Sequence, residues 1–423
     1  MRIKKVGIIG LGNVGEATIR SFKKYSSLIA KRTSLKIQIV KVCDLNKAKA
    51  KIAKSLGLLF SSNPYDLIND PQIDIIVELI GGIEPANTFI IKSLEKGKSI
   101  VTANKALLAQ KGKQIFSLAK KKKACIGFEA SVCGAIPIIR SISAGLVGCE
   151  VKRVDGILNG TTNYILHKMG KDNVDFSQAL AQAQSRGLAE RKPDLDIKGI
   201  DALHKLCILS YLCYGVWPSL SKVYAEGISK ISLLDIIYAN ELNYKIKLLA
   251  IAKKEKDCLD LRVHPALISS EHPLSGVSLA YNAIFLDTQP AGQLLFYGEG
   301  AGGIPTSSSV ISDIVNIACG YHELSRKEAK IPIKNIKDIK ARYYIRVMAQ
   351  DNPGVLAKVS KILASFRISI ASVNQKEKKE SKIVPVVMIT NRVKEGSMMK
   401  ALAKIDKLSV IKGPSQIIRI EDL

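Results

Sequence analysis

Short apolar runs alternate with amphipathic stretches along the first third of the chain. The apolar runs, which we interpret as β-strands, are VGIIG, IQIVKVCD, DIIVELIG, SIVTANK and ACIGFEA. The stretches between them have the spacing of amphipathic helices. Alternating strands and helices indicate βαβ units, so we predict an α/β domain with a parallel sheet over residues 1–130.

The pattern changes over residues 131–325. A strand at Val151–Asn159 leads into a helix from about Gly160, and a second helix ends at Gly187, a residue suited to a left-handed cap. We expect another helix from near Ile197 to about Tyr214. The remaining strands are YKIKLLAIAKK, CLDLRVHPALI, YNAIFLDT and GQLLFYGEG.

These elements predict an α+β domain with an open mixed sheet. Its late helix, at residues 305–320, has Pro305 at its start, where the missing N–H costs nothing. We expect that helix to pack back on the first domain.

A charged linker at 326–340 precedes a third domain at 341–423. This last part has the order β-α-β-β-α-β, which predicts a ferredoxin-like fold. One apolar stripe marks its first helix and consists of Val355, Leu356, Val359, Ile362, Leu363 and Phe366.

The charge balance is strongly basic, with 64 Lys and Arg against 37 Asp and Glu and a net charge of +27. The lysines are scattered, and the one dense run, Lys120–Lys123, has no interleaved aromatic residue for stacking on bases. We therefore interpret the charge as a solvated surface that can attract anionic ligands, and we expect no nucleic-acid partner.

Cysteine and histidine usage points to a reducing compartment. The eight cysteines form no CxxC pair and the five histidines show no metal-ligand spacing, so we expect a cytoplasmic protein. The longest apolar run, LCILSYLCYGVW, is too short to span a bilayer, so we expect no membrane association.

A glycine-rich turn follows the first predicted strand. The segment GLGNVG at Gly10–Gly15 is a G-x-G-x-x-G motif that also opens a helix. Gly10 permits a tight turn, Gly12 lets the backbone approach a pyrophosphate, and Gly15 permits close packing of helix and strand. In this strand–turn–helix context the motif predicts a Rossmann-type dinucleotide site.

Asp44 ends the second predicted strand, where an acid commonly binds the ribose hydroxyls of NAD. The alternative is a helix N-cap for the segment that follows it. Lys47 and Lys49 could instead hold the 2′-phosphate of NADP. The pattern leaves the choice between the two cofactors open.

Four carboxylates lie within the segment ERKPDLDIKGIDALHK. Asp201 and Lys205 are four residues apart on a predicted helix, so they share one face. The commoner outcome of that spacing is a surface ion pair. Apolar neighbours favour partial burial instead, and a desolvated lysine among carboxylates can serve as a general acid or base.

The segment GLAERKPDLDIKGIDALHKL resembles the signature of homoserine dehydrogenases. The further matching segments are VTANKALLA, EASVCGAIP, DGILNGTTNYIL and GEGAGGIPTSSSVISDI. The last domain, with DNPGVLAKVSKIL, is similar to an ACT domain, a small amino-acid-binding module. The resemblance implies reversible NAD(P)-dependent interconversion of L-homoserine and L-aspartate 4-semialdehyde, in threonine, methionine and isoleucine biosynthesis.

The resemblance implies roles for particular residues. Lys205 is the acid–base group and Asp201 orients it. The residues implied to bind substrate are Glu190 and Asp196 at the ammonium, Gly160 and Thr161 at the carboxylate, and Lys105. The residues assigned to the cofactor are Gly10, Gly12, Asn13, Val14, Gly15, Asp44, Asn104, Lys105, Gly302 and Gly303.

A sodium site is also implied by the resemblance, at Glu129 with the backbone carbonyls of Val132, Gly134 and Ile136. An all-oxygen cage suits a hard cation. Two departures from the family's pattern occur here, since Cys133 and Ala135 replace glycines. Another is Cys43, where many members carry an arginine, which weakens an NADP-only interpretation.

The ACT resemblance implies a regulatory domain whose effector is L-threonine. The candidate effector residues are Asp351, Asn352, Gly354, Asn374 and Gln375. ACT modules usually pair side by side, so we expect a homodimer or homotetramer. The alternatives are a purely structural dimerisation module, another ACT-tailed amino-acid or hydroxy-acid dehydrogenase, and a non-catalytic amino-acid sensor.

Overall fold

The computed structural model describes residues 3–321, 326–375 and 382–423. The strands are β1 (Ile3–Ile9), β2 (Lys36–Cys43), β3 (Leu59–Ser61), β4 (Ile75–Glu78), β5 (Ser99–Thr102), β6 (Ile126–Gly127), β7 (Glu150–Ile157), β8 (Tyr224–Ala225), β9 (Tyr244–Lys254), β10 (Leu259–Ser269), β11 (Tyr281–Gln289), β12 (Gly292–Glu299), β13 (Lys340–Gln350), β14 (Ile370–Gln375), β15 (Ile383–Thr390), β16 (Val393–Lys394) and β17 (Gln416–Ile420).

The helices are α1 (Asn13–Thr33), α2 (Lys49–Ser55), α3 (Tyr65–Ile68), α4 (Ala86–Glu95), α5 (Lys105–Lys122), α6 (Ile138–Arg140), α7 (Gly160–Asp172), α8 (Phe176–Ser185), α9 (Asp194–Ile197), α10 (Ile200–Tyr214), α11 (Leu233–Glu241), α12 (Gly303–Ala318), α13 (Val355–Ser365) and α14 (Glu395–Ile405). None of these helices, which cover the described part of the chain, is both long and apolar enough to cross a bilayer.

The chain forms two compact units, each built from separate segments. The first contains residues 1–160, 201–221 and 281–331, and the second contains residues 161–200, 222–280 and 332–423. The domain boundaries expected from the sequence divide the chain differently and stay a prediction.

The first unit contains a six-stranded parallel sheet in the order β3-β2-β1-β4-β5-β6. This is the order of a Rossmann-type dinucleotide fold, so that prediction is confirmed. The short edge strand β3 was not predicted, because three residues carry too little pattern. The three strands β7, β11 and β12 of this unit pair antiparallel.

Helix α12 lies in the same unit as this sheet and packs against α1. Its Val310 and Ile314 are buried in one apolar cluster with Val6 and Ile8 of β1. The Ser307 hydroxyl reaches Ser21 of α1 at 3.3 Å.

The second unit is mixed in strand direction. Strand β10 runs antiparallel to β9 but parallel to β17 and β8. Within 341–423 the strands follow the order β17-β13-β15-β14, with antiparallel pairing throughout. That order, with helices α13 and α14, is the ferredoxin-like arrangement expected for an ACT domain.

Two details of the second unit differ from expectation. The helix predicted from Ile197 is interrupted, because Gly199 has φ +79° and ends α9 before α10 begins. In α13 the residues Val355, Val359 and Leu363 are buried, whereas Leu356 is 40% exposed and lies outside the apolar stripe. At the margin of an apolar stripe, helical spacing alone does not decide whether a side chain faces the core or the solvent.

Candidate active site

The glycine-rich turn joins β1 to α1 as the motif predicts. Gly10 has φ +106°, and a Cβ there would lie 2.8 Å from the carbonyl group of Leu79. A Cβ on Gly15 would collide with the Gly10 carbonyl oxygen. Gly12 is the N-cap of α1, and a Cβ on it would have no neighbour within 4 Å, so its backbone is open to approach. The N–H groups that open α1 suit a pyrophosphate.

Asp44 follows β2 and holds the glycine-rich turn. One carboxylate oxygen accepts the N–H of Leu11 at 2.8 Å, and the other accepts the N–H of Asn46 at 2.9 Å. Helix α2 begins only at Lys49 and has Ala48 as its N-cap, so Asp44 does not cap it. The N-cap alternative is therefore wrong, because a turn separates the acid from the helix.

The start of α12 lies beside the start of α1. Gly302 has φ +112° and is the N-cap of α12. A Cβ on Gly303 would lie 3.1 Å from the carbonyl oxygen of Asn13. Gly303 and Asn13, two residues assigned to the cofactor and 290 positions apart in the sequence, are thus neighbours in space.

Asn104 is the N-cap of α5, and Lys105 is the first residue of that helix rather than the end of a strand. The Asn104 side chain accepts the N–H of Leu107 at 3.1 Å and donates to the Gly82 carbonyl at 2.6 Å. It therefore ties the loop after β4 to the helix that carries Lys105.

Glu78, at the end of β4, was not singled out from the sequence. Its buried carboxylate accepts the hydroxyl of Thr102 at 2.6 Å and the N–H groups of Ile80 and Gly81. Burial raises the pKa of Glu78 against these hydrogen bonds. Glu78 is the last residue of an otherwise apolar strand. From sequence alone, an acid at the end of a strand looks like an ordinary exposed residue.

Asp201 lies between two lysines. Its Oδ2 accepts from Lys205 Nζ at 2.8 Å, and its Oδ1 is 2.6 Å from Lys105 Nζ. The side chains of Asp201 and Lys205 are each only 7% exposed, whereas Lys105 is 43% exposed. The alternative of a surface ion pair is therefore wrong, because α10 is buried on nearly all sides.

Electrostatics keep Asp201 ionised. Burial by itself raises the pKa of this carboxyl, but the ammonium groups of Lys205 and Lys105 outweigh it and hold the pKa well below its usual range. Burial lowers the pKa of the adjacent His204, which favours its neutral form.

The end of β7 supports the lysine–carboxylate cluster. The Leu158 carbonyl accepts from Lys205 Nζ at 2.5 Å, and the Asn159 amide donates to Asp201 Oδ2 at 3.0 Å. Asn282 on β11 also donates to the Leu158 carbonyl, at 3.0 Å. Sequence reasoning missed these three groups, because a backbone carbonyl and single asparagines carry no recognisable spacing.

The acidic segment of the second unit is more exposed than Asp201. Glu190 is exposed, and Asp196 is half-buried on α9. The Thr161 hydroxyl donates to the Leu188 carbonyl at 2.7 Å and so anchors the stretch that leads to Glu190. Gly160 and Thr161 begin α7, which leaves backbone N–H groups at this helix start for an anion.

The loop expected to bind sodium is tightly held. The Glu129 carboxylate accepts the N–H groups of Ile139 and Arg140 at 2.7 and 2.9 Å, and burial raises its pKa to about 7. Gly134 has φ +51°, and its carbonyl accepts from Ser309 at 2.6 Å. Cys133 also has positive φ, +57°, which explains why a glycine would suit this position.

Of the candidate effector residues, the structure brings two together. Gln375 donates to the Asp351 carboxylate at 3.2 Å. Asn352 is exposed in the turn before α13, and Gly354 caps that helix with φ +83°. Asn374 lies on β14, the outer strand of the sheet in the described residues, opposite Val387.

Comparison with known families identifies all three parts of the chain. Residues 10–129 match the family described as "Homoserine dehydrogenase, NAD binding domain", residues 137–315 match "Homoserine dehydrogenase", and residues 343–407 match "ACT domain". The chain is 42% identical to the homoserine dehydrogenase of Helicobacter pylori, over 99% of both chains.

Solved structures agree with this assignment. A homoserine dehydrogenase from Thiobacillus denitrificans is 38% identical and superposes with a TM-score of 0.94, over 100% of this chain and 99% of the other. A hyperthermophilic archaeal homoserine dehydrogenase in complex with NADPH is 27% identical, with a TM-score of 0.66. That likeness covers 76% of this chain and 100% of the archaeal one.

Proposed function

We infer that this chain, which belongs to the homoserine dehydrogenase family, interconverts L-homoserine and L-aspartate 4-semialdehyde with a nicotinamide cofactor. The observation that carries the mechanism is the buried bridge of Asp201 between Lys205 and Lys105. Asp201 thereby holds the ammonium groups of Lys205 and Lys105. Leu158 and Asn159, which follow β7, add hydrogen bonds to Lys205 and Asp201.

We assign the proton transfer to Lys205. A dinucleotide held at the glycine-rich turn of Gly10–Gly15 would supply the hydride chemistry at the carbon that bears the substrate oxygen. In the reductive direction the Lys205 ammonium donates a proton to the substrate oxygen, and in oxidation the neutral amine accepts it. Asp201 and the Leu158 carbonyl fix the position of Nζ, which is what a general acid requires.

The substrate's charged groups need partners of opposite sign. Glu190, with Asp196 close to it in the chain, pairs with the ammonium, and the backbone N–H groups of Gly160 and Thr161 receive the carboxylate. Backbone N–H groups serve here because the Thr161 hydroxyl is already used by Leu188. Lys105, the more exposed of the two lysines, can reach substrate and cofactor on its exposed side.

We propose NAD or NADP as the cofactor, at the glycine-rich turn and the starts of α5 and α12. Each carboxylate oxygen of Asp44 accepts one backbone N–H. The second lone pair of each oxygen therefore remains available to a ribose hydroxyl. A 2′-phosphate there would meet a negative charge, so we expect NAD to be used at least as well as NADP. The Asp44→Asn variant should shift the ratio of kcat/KM values toward NADP.

The experiment that tests the function is a spectrophotometric assay of homoserine oxidation with NAD and NADP side by side. Turnover of homoserine, with none of a simple 2-hydroxy acid, supports the proposal. A folded protein that oxidises neither substrate would instead favour the non-catalytic sensor. A strong NADP preference of the unmodified chain would overturn the role given to Asp44.

We propose a sodium ion in the loop of Glu129, with the carbonyl oxygens of Val132, Gly134 and Ile136. All four donor atoms are oxygens, which suits a small hard cation. The Glu129 carboxylate is buried, so a bound cation would offset the free-energy cost of burying its negative charge. Gly134 still has one carbonyl lone pair beyond the bond from Ser309. A Tm that is higher in sodium than in choline chloride at equal ionic strength, and equal in both for Glu129→Gln, checks the site.

We propose that the ACT domain binds L-threonine at the turn of Asp351, Asn352 and Gly354, with Asn374 and Gln375 beside it, in a homodimer or homotetramer. Inhibition requires threonine to favour one global arrangement over another. Rising threonine should inhibit the unmodified enzyme and should inhibit Asn352→Ala much less. If threonine has no effect on the unmodified enzyme, the structural dimerisation module is the better account.

A further inference from the structure

The last strand of the chain is built into the sheet of the second unit. Strand β17 pairs antiparallel with β13 of the ACT domain and parallel with β10. Arg419 of β17 is opposite Tyr343 on one side and Ala266 on the other. The ACT domain therefore shares a strand edge with the rest of its unit.

Arg419 is the centre of a buried charge network. Its guanidinium donates to both oxygens of Glu395, at 2.5 and 3.0 Å, and to Glu226 Oε2 at 2.8 Å. It also contacts the Tyr224 hydroxyl at 3.2 Å, and that hydroxyl donates to Glu226 at 2.8 Å. Arg419 is only 3% exposed, so these bonds act in a low dielectric.

Glu226 begins a segment that packs closely against the turn after α9. The next residue, Gly227, lies so close that a Cβ on it would collide with the Ile197 carbonyl oxygen. The N–H of Ile228 donates to that same oxygen at 2.9 Å. A Cβ on Gly199 would in turn lie 3.4 Å from the Glu226 carbonyl oxygen.

The turn at Ile197–Gly199 connects the two halves of the acidic segment. Directly before it is α9, which carries Asp196, and directly after it α10 begins with Ile200 and Asp201. A shift of this turn would therefore move the start of the helix that bears the acid–base pair. Displacements of about 1 Å can cost about 100-fold in rate.

We propose that Arg419 and Glu226 are positioning residues for the dehydrogenase reaction. Arg419 fixes Glu226, the segment 226–228 fixes the turn at 197–199, and the turn sets the start of α10. The inference rests on the proposed function for its kinetic consequence only. Its structural content, that Glu226 immobilises the turn, can be measured separately.

A merely structural role is the rival explanation, since buried ion pairs often add little to stability and serve only to specify packing. The chain offers a matched control. Arg346, also on an ACT strand, binds the buried Asp235 of α11 at 2.7 Å. This pair links the same domain to a helix that carries none of the proposed site residues.

The experiment compares Arg419→Lys and Glu226→Gln with Arg346→Lys in the full-length enzyme. Lysine keeps the charge but cannot replace the planar fork of arginine. We expect kcat/KM for homoserine to fall about 10- to 100-fold in the first two variants, with the KM of the cofactor unchanged. Arg346→Lys should lose stability without this kinetic change.

A second pair of variants addresses the turn itself. Gly227→Ala places a methyl group against Ile197, whereas Gly276→Ala adds one where no atom lies within 4 Å. We expect only Gly227→Ala to reproduce the loss for homoserine. Equal effects of the two alanines, or of Arg419→Lys and Arg346→Lys, would overturn the proposal.

Hydrogen exchange separates this inference from the proposed function. Amides at residues 196–201 should exchange faster in Glu226→Gln than in the unmodified enzyme, and at the original rate in Arg346→Lys. That result supports the positioning role even if homoserine is not the substrate. Unchanged exchange at 196–201 in a folded Glu226→Gln protein would refute it.

Discussion

Two aspartate–lysine pairs lie seven residues apart in the sequence and have the same spacing. Asp194 and Lys198 form an i,i+4 ion pair at 2.7 Å, and Asp201 and Lys205 form one at 2.8 Å. The first pair has side chains 58% and 65% exposed, and the second pair 7% each. Spacing and distance are alike, so the two pairs differ only in burial and in the groups around them, and we assign acid–base catalysis to the buried pair.

The surroundings of the two pairs also differ. Water screens Asp194 and Lys198, and pairs of this kind contribute little. Asp201 instead has a second lysine, an asparagine amide and a neighbouring backbone carbonyl that fixes Lys205. A preorganised proton donor requires fixed partners of this kind, and the solvent-exposed pair has none of these additional groups in the described structure.

The largest contrast should come from removing each lysine. We expect Lys205→Ala to lower kcat about 10²- to 10⁴-fold, since positioned acid–base groups contribute that much. Dinucleotide binding, measured by fluorescence titration, should stay the same. Lys198→Ala is the matched control and should retain full turnover. Equal activities in the two folded variants would remove Lys205 from the reaction.

A smaller contrast is expected between two acids of the same segment. Glu190→Gln should raise the KM of homoserine about 10- to 100-fold, because a hydrogen bond to a charged group is worth about 1.5–3 kcal/mol. The KM of the cofactor should change little. Asp194→Asn, which alters an exposed acid four residues later, should leave both constants unchanged. A parallel rise in both constants for Glu190→Gln would argue against contact with the substrate ammonium.

The smallest contrast concerns acid unfolding. The folded-state pKa of Asp201 is depressed below its usual 3.8, so its stabilisation is present above that pH and is lost as pH falls below it. Asp201→Asn should therefore be less stable at neutral pH, and its stability should fall less steeply below pH 3.8. Urea unfolding from pH 7 downward measures both slopes. Asp194→Asn should leave the curve unchanged at neutral pH.

The end of the chain affects how regulation can be tested. A chain cut near Lys340 would lose β17, and with it Arg419 and the pairing to β10. Loss of activity in such a protein would not separate regulation from sheet integrity. Single substitutions in the turn proposed to bind the effector, such as Asn352→Ala, keep the strand in place.

Much of the fold follows from local pattern. Alternating strands and helices with G-x-G-x-x-G predicted the Rossmann-type sheet, and the β-α-β-β-α-β order predicted the ferredoxin-like fold of the last domain. These patterns are formed by residues close together in the chain, so they can be recognised from the sequence alone. The interruption at Gly199 was missed, because it depends on the positive φ of a single glycine, and a glycine within a helical pattern does not by itself specify a break.

The sequence by itself determined the family, the dinucleotide turn and the residues that carry charge, because each is a matter of residue type at short spacing. Only the tertiary structure decided which aspartate–lysine pair is buried and that Lys105 completes the cluster, from 96 residues away. It also decided that Asp44 binds the glycine-rich turn and that Arg419 reaches Glu226. Contacts between distant residues depend on how elements pack, and packing leaves no periodic trace in the chain.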